Sequence, residues 1–434
     1  MYIMQFLCRP EIVTLFITIV FYLTLRYFVR DDQPYPGFKM IGNVSGDWFG
    51  VQTKKRWDND AVKMMQEGMR VNLNQALGGL TQALSSECAS VLRENQQPAK
   101  EWTPTKFIMT ATQIAARLSA RVFLGERLCH NNEWIEISIR FTIVMMRAQD
   151  ALRSWPLFMR PLVHFFIPEL IYLKRLIKEA RKIIEPELEL RKAERPGVLK
   201  PQDTLSWLDD VRAGRPFDVV SGELFLTVAA IHTTSVVITA LMYDLVKNPE
   251  YIHLLREEAI QVHREDKEWN KTSLHKLKLL DSCMKESQRL NILGPNMMNR
   301  RAEEAITLSD GLSIPKGAHI TVPTFHMRDP EIFGANPDQF DGHRFLRMRQ
   351  RPGEENRWQF VSTSPEFLSF GHGSHACPGR FFASNEIKIA IIQLLLNFEW
   401  KMMDKPPQSR FSSRFVPDPE TLIAYKSRIP EIEF

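Results

Sequence analysis

Cysteine is scarce in this chain, with five residues in 434 (Cys8, Cys88, Cys129, Cys283, Cys377), an odd number and no Cys-x-x-Cys spacing. The spacing therefore indicates neither a disulfide framework nor a zinc site, and it fits a reducing compartment. Charge of either sign is in small excess: 56 Lys and Arg against 51 Asp and Glu leave a formal +5. No basic run is interleaved with aromatics, so a nucleic-acid partner is excluded. Internal repeats are missing and strand signals are few. What is present is apolar mass: 44% hydrophobic residues over this length can bury a large core, as one big domain or two ordinary ones.

One long hydrophobic run stands apart. Ile12 to Val29 is nearly continuous apolar sequence, interrupted only by threonines, Tyr22, Tyr27 and Arg26. As a helix it would span roughly 27 Å, close to a bilayer core. No small-residue cleavage site follows, which favours an anchor over a signal peptide. Arg26, Arg30 and Lys39 follow the run while only Arg9 precedes it, which orients the remainder towards the cytosol. Residues 1–30 are expected to form a single-pass membrane anchor, 31–43 a stiff proline-containing linker, and 44–434 the main folded domain.

Within that domain, amphipathic runs predict helices near Leu73 to Arg93, Trp134 to Leu152, Leu170 to Lys192, Ser221 to Lys247, Pro249 to Arg264 and Leu279 to Leu290. The alternation across Ala305 to Pro323 predicts strands. Arg328 to Arg357, crowded with Pro, Gly, Asn and Asp, predicts an ordered meander without regular structure. The fold class is mainly α with a small β portion.

The chemistry concentrates in Phe370-Gly-His-Gly-Ser-His-Ala-Cys377-Pro-Gly-Arg380, a glycine-flanked loop that ends where a long helical pattern begins. A cysteine there sits near a helix N-terminus, whose dipole favours an anionic sulfur and so suits a metal. Gly371, Gly373 and Gly379 allow backbone to approach something flat and large. Upstream, Glu286 and Arg289 stand three apart on one helix face, close enough to pair. In Ala229-Ala-Ile-His-Thr-Thr-Ser235, small residues permit close approach, and a threonine hydroxyl can bond back to the preceding turn. His232 reads either as a titratable proton relay or as a satisfied core histidine. His130, His164 and His253 read as surface or cap residues.

Phe370, Gly373, Cys377 and Gly379 match the heme-binding signature of the cytochrome P450 monooxygenases, and the chain resembles that family from about the linker to the C-terminus. The resemblance implies a P450 fold behind an N-terminal transmembrane helix, heme b as cofactor and Cys377 as its axial thiolate ligand. Phe340-Asp-Gly-His-Arg344 resembles the family's meander motif, which implies that Arg344 joins Glu286 and Arg289 in a buried triad. Thr233, with His232 at a position where most relatives carry an acid, is implied in proton delivery. His375 and one of Arg300 or Arg301 are implied as heme-propionate contacts; Ser374 stands where close relatives often carry a base.

Electrons would come from NADPH through NADPH-cytochrome P450 reductase, with cytochrome b5 as a second candidate partner and the endoplasmic reticulum membrane as the location. The His-Thr-Thr-Ser and Cys-Pro-Gly-Arg-Phe-Phe-Ala variants resemble fungal microsomal members that oxidise diterpenoids and indole diterpenes, implying a lipophilic terpenoid-type substrate of secondary metabolism. Phe225 to Ala230, Ile292 to Met298 and Thr421 to Ile423 would line its pocket. Relative to the family, the stretch between linker and Leu73 is short. The first β-hairpins, the helix–loop region roofing the pocket and part of a helix bearing a basic propionate contact are expected to be missing. Two alternatives follow: a truncated heme-binding membrane protein with impaired oxygenation, or a heme-thiolate isomerase or dehydratase.

Overall fold

The computed structural model describes residues 38–40, 69–156, 159–193, 200–212, 217–373, 376–403, 409–411 and 415–432. The expected anchor, most of the linker, the short stretch between the linker and Leu73 up to residue 68, Ser374 and His375 lie outside these residues.

Helices dominate: α1 (Asn74–Asn95), α2 (Phe107–Leu124), α3 (Asn132–Arg153), α4 (Arg160–Val163), α5 (Pro168–Ala193), α6 (Thr204–Arg212), α7 (Val219–Lys247), α8 (Glu250–Asp266), α9 (Lys271–Lys276), α10 (Lys278–Leu290), α11 (Pro330–Phe333), α12 (Arg344–Arg349) and α13 (Arg380–Asn397). Local chemistry sets several starts. The Asn131 side chain accepts the Trp134 N–H to open α3, and Asn270 forms a capping box with Ser273 to open α9.

The strands are short and antiparallel. β1 (Phe38–Met40) and β6 (His319–Pro323) flank β3 (Asn296–Ala302); β2 (Thr103–Thr105) and β7 (Phe398–Met402) flank β10 (Ile423–Ser427). β4 (Ile306–Thr307) with β5 (Ser313–Ile314), and β8 (Ser409–Phe411) with β9 (Phe415–Pro417), complete the sheets. Residues 38–40, inside the segment read as linker, thus add a strand to β3, pairing Phe38 with Ala302 and Met40 with Arg300.

The predicted helices all appear with boundaries shifted by a few residues, but α2 went unread. Thirteen of its residues are buried, including Thr110, Arg117 and Ser119, so no polar stripe marks its period. The meander is more regular than expected, because α12 forms within it. His164 caps the end of α4 but is buried at 6% exposure against the Phe165 ring, and is not a surface residue.

The central element is α7, 29 residues and about 43 Å long. It packs against α2, α3, α10 and α13 and is apolar enough in composition to cross a bilayer. Most of that apolar surface is turned into the protein core instead, which marks α7 as a core helix. Burial relaxes along one stripe: Phe225, Ala230 and His232 are half-buried, while Ala229 and Thr233 are exposed. Phe225, Ala229 and Thr233 are spaced i, i+4, i+8 and share one helix face.

A separate apolar cluster of Ile292, Met327, Phe333, Phe345, Met348, Trp358 and Phe367 supports the meander. At its edge, Glu286 and Arg289 have no exposed surface and Arg344 is 6% exposed. Arg289 grips the Glu286 carboxylate through Nε and Nη2, both at 2.8 Å, and Arg344 Nε reaches its two oxygens at 3.1 and 3.2 Å. Two guanidiniums face one carboxylate, and the remaining donors go to carbonyls: Arg289 to Met327 at 2.9 Å, Arg344 to Phe333 and to Gln339 at 3.2 Å. The Asp341 N–H closes the set on Glu286 Oε1 at 3.2 Å. Beside it, a Cβ added to Gly342 would stand 2.4 Å from the Tyr251 ring and 2.6 Å from Cys283 Sγ, so only glycine lets the meander lie this close to α10.

Removing the carboxylate strands two buried cations. Glu286→Ala should lower the unfolding free energy by about 3–5 kcal/mol, measured by urea denaturation. Loss below 1 kcal/mol would show that the triad is not what holds the meander.

Candidate functional site

Cys377 lies three residues before α13. Its backbone N–H donates to the Phe370 carbonyl at 2.8 Å, and the Ala376 N–H to the Gly373 carbonyl at 3.1 Å, which folds 370–377 into a closed loop. Gly371 at φ 68° and Gly373 at φ 74° occupy the left-handed region that this path requires. The Phe370 ring packs edge-on against Phe360 at 5.2 Å, fixing the start of the loop.

The thiol of Cys377 is half-buried. Burial raises its pKa; the backbone N–H groups of Gly379 and Arg380 and the Arg380 charge act against that. This is an environment prepared for a thiolate whose charge is shared with a partner outside the protein. Gly379 makes the same point sterically. Its φ of −87° is open to any residue, yet a Cβ there would meet nothing within 4 Å, as would one on Gly373. A donor set of one sulfur backed by N–H groups, with open space over the glycines, fits the cysteine ligation and flat macrocycle of a heme.

Two residues that the sequence reading missed brace this loop. Arg380 donates from Nε to the Val361 carbonyl at 3.1 Å and from Nη1 to the Cys377 carbonyl at 2.8 Å. Lys285 on α10, wholly buried, donates to the carbonyls of Gln359 at 2.9 Å and Ser362 at 3.0 Å, with its ammonium 3.7 Å from the centre of the Phe367 ring. One residue earlier than the Glu286 pair, it secures the segment that leads into the loop. Its position at an interior turn of α10 is the signal that could have found it. Asp281 on the same helix bonds the Phe360 N–H at 2.8 Å and Lys388 of α13 at 2.8 Å. Burial opposes the charge of Asp281, but Lys388 and then Arg349 hold its carboxyl below the ordinary value.

On α7, Thr233 Oγ1 donates to the Ala229 carbonyl at 2.7 Å, Ser235 Oγ to the His232 carbonyl at 3.1 Å and Thr239 Oγ1 to the Ser235 carbonyl at 2.7 Å. Three hydroxyls are thus bonded back into the helix, which stays continuous through this segment. Glu386 of α13, without exposed surface, accepts from Ser119 Oγ of α2 at 3.1 Å. Burial, with Ser119 and Thr234 acting weakly against it, pushes this acid up to about 8.

Glu286, Arg289 and Arg344 are brought together as expected, and Phe370, Gly373, Cys377 and Gly379 share one loop. Arg300 and Arg301 sit half-buried on β3, where Arg300 Nη1 turns onto the Asn299 carbonyl at 2.9 Å. Just before them the β3–β6 register breaks and Met298 takes φ 56°, a bulge that re-aims the side chains of the expected pocket-lining stretch.

A family model described as cytochrome P450 matches residues 27–423. The chain belongs to the cytochrome P450 family. It is 41% identical to the cytochrome P450 monooxygenase esdpI of Penicillium shearii over 348 residues, covering 78% of this chain and 67% of that protein. Against the cytochrome P450 monooxygenase ntnM of a Nectria species it is 42% identical over 356 residues, 80% of this chain and 69% of that one. A cyanobacterial P450, CYP120A1, solved with retinoic acid, superposes with a TM-score of 0.69 at 16% identity over 94% of this chain and 88% of that chain. That last likeness establishes the fold. The family comprises heme-thiolate enzymes, and the fungal relatives are monooxygenases.

Lys285 gives this P450 a distinctive pH response. Burial pushes its ammonium down to about 7, against about 10.4 for an exposed lysine. The penalty for burying the charge is complete below pH 7 and is relieved as pH rises towards the unfolded value, so this group adds stability with rising pH. Relative to Lys285→Met, the native chain should gain up to about 1.4 kcal/mol per pH unit between roughly pH 7 and 10. Urea midpoints of both proteins at pH 7 and 9 measure it; parallel profiles would refute the assignment.

Proposed function

We propose that the chain is a membrane-anchored heme-thiolate monooxygenase that inserts one oxygen atom of O2 into a lipophilic substrate. The observation that carries the reading is the Cys377 loop, with its sulfur backed by the Gly379 and Arg380 N–H groups and its glycine faces open. Heme, when bound, supplies the oxygen activation, drawing two electrons from NADPH through a reductase. Cys377 would hold the heme iron through its sulfur, Arg380 and Lys285 would keep its loop from shifting, and Phe370, Gly373 and Gly379 would leave space for the macrocycle. Arg300 or Arg301 would supply a basic contact for its propionates, and His375 is expected to supply another.

The roles on α7 follow from the relaxed stripe. Ala229 leaves room, and the Thr233 hydroxyl, held on the Ala229 carbonyl, positions a proton donor on the exposed face. His232, half-buried one position earlier, is placed to replenish that proton. Phe225, Ala229 and Ala230 present an apolar wall, so shape holds the substrate and the C–H nearest the site is the one oxidised. A terpenoid-type secondary metabolite suits such a wall. The anchor at 1–30 would hold the enzyme on the endoplasmic reticulum membrane, with its reductase and cytochrome b5 on the cytosolic side.

The reduced, heme-loaded protein should give the thiolate-type carbon monoxide difference band, and Cys377→Ala should abolish it; a parent without the band sinks the reading. Thr233→Ala should preserve the band and NADPH consumption while product per NADPH falls by about 10-fold or more. A band without substrate-coupled product across a terpenoid panel would favour the truncated heme-binding protein over the oxygenase.

A further inference from the structure

Away from the Cys377 loop, three metal-ligating side chains converge where α1 meets the connection between α2 and α3. Glu87 on α1, Cys129 and His130 each place one donor atom within 4.8 Å of the others. Glu87 is 8% exposed and Cys129 wholly buried, while the His130 side chain is 55% exposed and leaves an entry from solvent. Cys129 Sγ lies 3.7 Å from Glu87 Oε1 and 3.4 Å from His130 Nδ1, and His130 Nε2 lies 3.0 Å from Glu87 Oε2. These contacts use both nitrogens of His130 and both oxygens of Glu87, whereas one ion takes a single atom of each. One such set lies within 4.8 Å, and the exposed His130 side chain has to turn to reach the separations of about 3.3–3.7 Å of tetrahedral zinc.

A second observation points to a ligand. Glu87 Oε2 is buried and has no aligned hydrogen bond, despite its short contact with His130 Nε2 and the Arg117 Nη1 atom 3.7 Å away, which is itself without an acceptor. A buried carboxylate oxygen 3.0 Å from an imidazole nitrogen, without an aligned donor, is a position that a cation would satisfy. The backbone is fixed on both sides. Gly125, at φ 78°, fits against Asp203 where a Cβ would stand 2.4 Å from the carboxylate, and its carbonyl accepts the Cys129 N–H at 3.1 Å. Asn131 caps α3 immediately after His130.

Charge also balances. Arg117 is matched by Glu94 at 2.7 Å and Arg121 by Glu126 at 3.2 Å. The Glu87 carboxylate and a Cys129 thiolate would then neutralise one divalent ion, with imidazole as a neutral third ligand and water as the fourth, the thiol proton leaving to solvent. We propose that Glu87, Cys129 and His130 form a binding site for one borderline divalent cation, zinc being the best match to this donor set, which clamps α1 to the α2–α3 connection.

The heme-loaded full-length protein, titrated with zinc against a chromophoric chelator, should take up one equivalent with micromolar or tighter affinity. Heme loading keeps Cys377 out of the count. His130→Ala and Cys129→Ser should each weaken uptake by about 10-fold or more, with circular dichroism unchanged. Cobalt in place of zinc should give a thiolate charge-transfer band that Cys129→Ser removes. If Cys129→Ser does not fold, exposed His130→Ala decides alone. Failure to bind stoichiometric zinc, or uptake equal to the parent in His130→Ala, would overturn the site and leave Glu87 and His130 as an ordinary ion pair.

Discussion

A single buried carboxylate, Glu286, organises the side of the molecule on which the cysteine loop depends. It is held by two guanidiniums, one from its own helix and one from the meander, and neither arginine has enough negative charge to spend all its donors on. The surplus goes to backbone carbonyls of the 327–339 region. An apolar core could hold α10 at no electrostatic cost, and a buried ion pair is weak evidence for stability by itself. What it adds is register: fixed donors select particular carbonyls of an irregular chain segment that has no ladder of its own. Lys285, one residue away, does the same for Gln359 and Ser362, which places the loop entrance at Phe370 within the reach of α10.

The positions of these groups explain what was legible in the sequence. Cys377 and its glycines could be read directly because a metal-presenting loop needs backbone freedom and a thiolate-stabilising helix start, and both leave residue-level marks. The Glu286–Arg289 spacing was equally visible, but spacing alone cannot distinguish a solvated surface pair from one with no exposed surface; its burial emerges only when Phe333, Phe345 and Trp358 close over it. Lys285 and Arg380 were illegible for the opposite reason. Their partners are carbonyls, which every residue carries. The α2 helix escaped because a helix buried on most sides loses the polar stripe that pattern reading requires.

The site proposed at Glu87, Cys129 and His130 leaves no mark in local spacing. Glu87 precedes Cys129 by 42 residues, so no local motif links them, and only the packing of α1 on α2 brings them together. Cysteine arithmetic tests for ligands clustered along the chain and is blind to a site assembled by tertiary contact. The same limitation applies to the stripe on α7, where Phe225, Ala229 and Thr233 differ from their neighbours in exposure and not in residue class.

The buried acids divide into two kinds, and the division has a functional reading. Glu286 and Asp281, on α10 beside the loop, face cations. Asp218, the N-cap of α7, pairs with Arg181 of α5 at 2.9 Å, but the buried acids within α7 rest on hydroxyl and amide donors. Glu223 accepts from Thr204 Oγ1 at 2.6 Å, and Asp244 accepts from Ser287 Oγ at 2.6 Å and Asn291 Nδ2 at 2.8 Å. Burial raises both, Asp244 to about 6, and raises Glu386 of α13 as well. Hydroxyl and amide donors accept a protonated acid as readily as an ionised one, so α7 is joined to α6, α10 and α2 without committing fixed charge along its length. Charge is therefore concentrated under the loop, where a thiolate needs structured surroundings, and thinned along the helix whose open stripe offers apolar surface and a threonine hydroxyl. On the proposed function, a field-poor wall of this kind would admit a lipophilic molecule without desolvating ions, with Thr233 and His232 as the polar groups of that stripe.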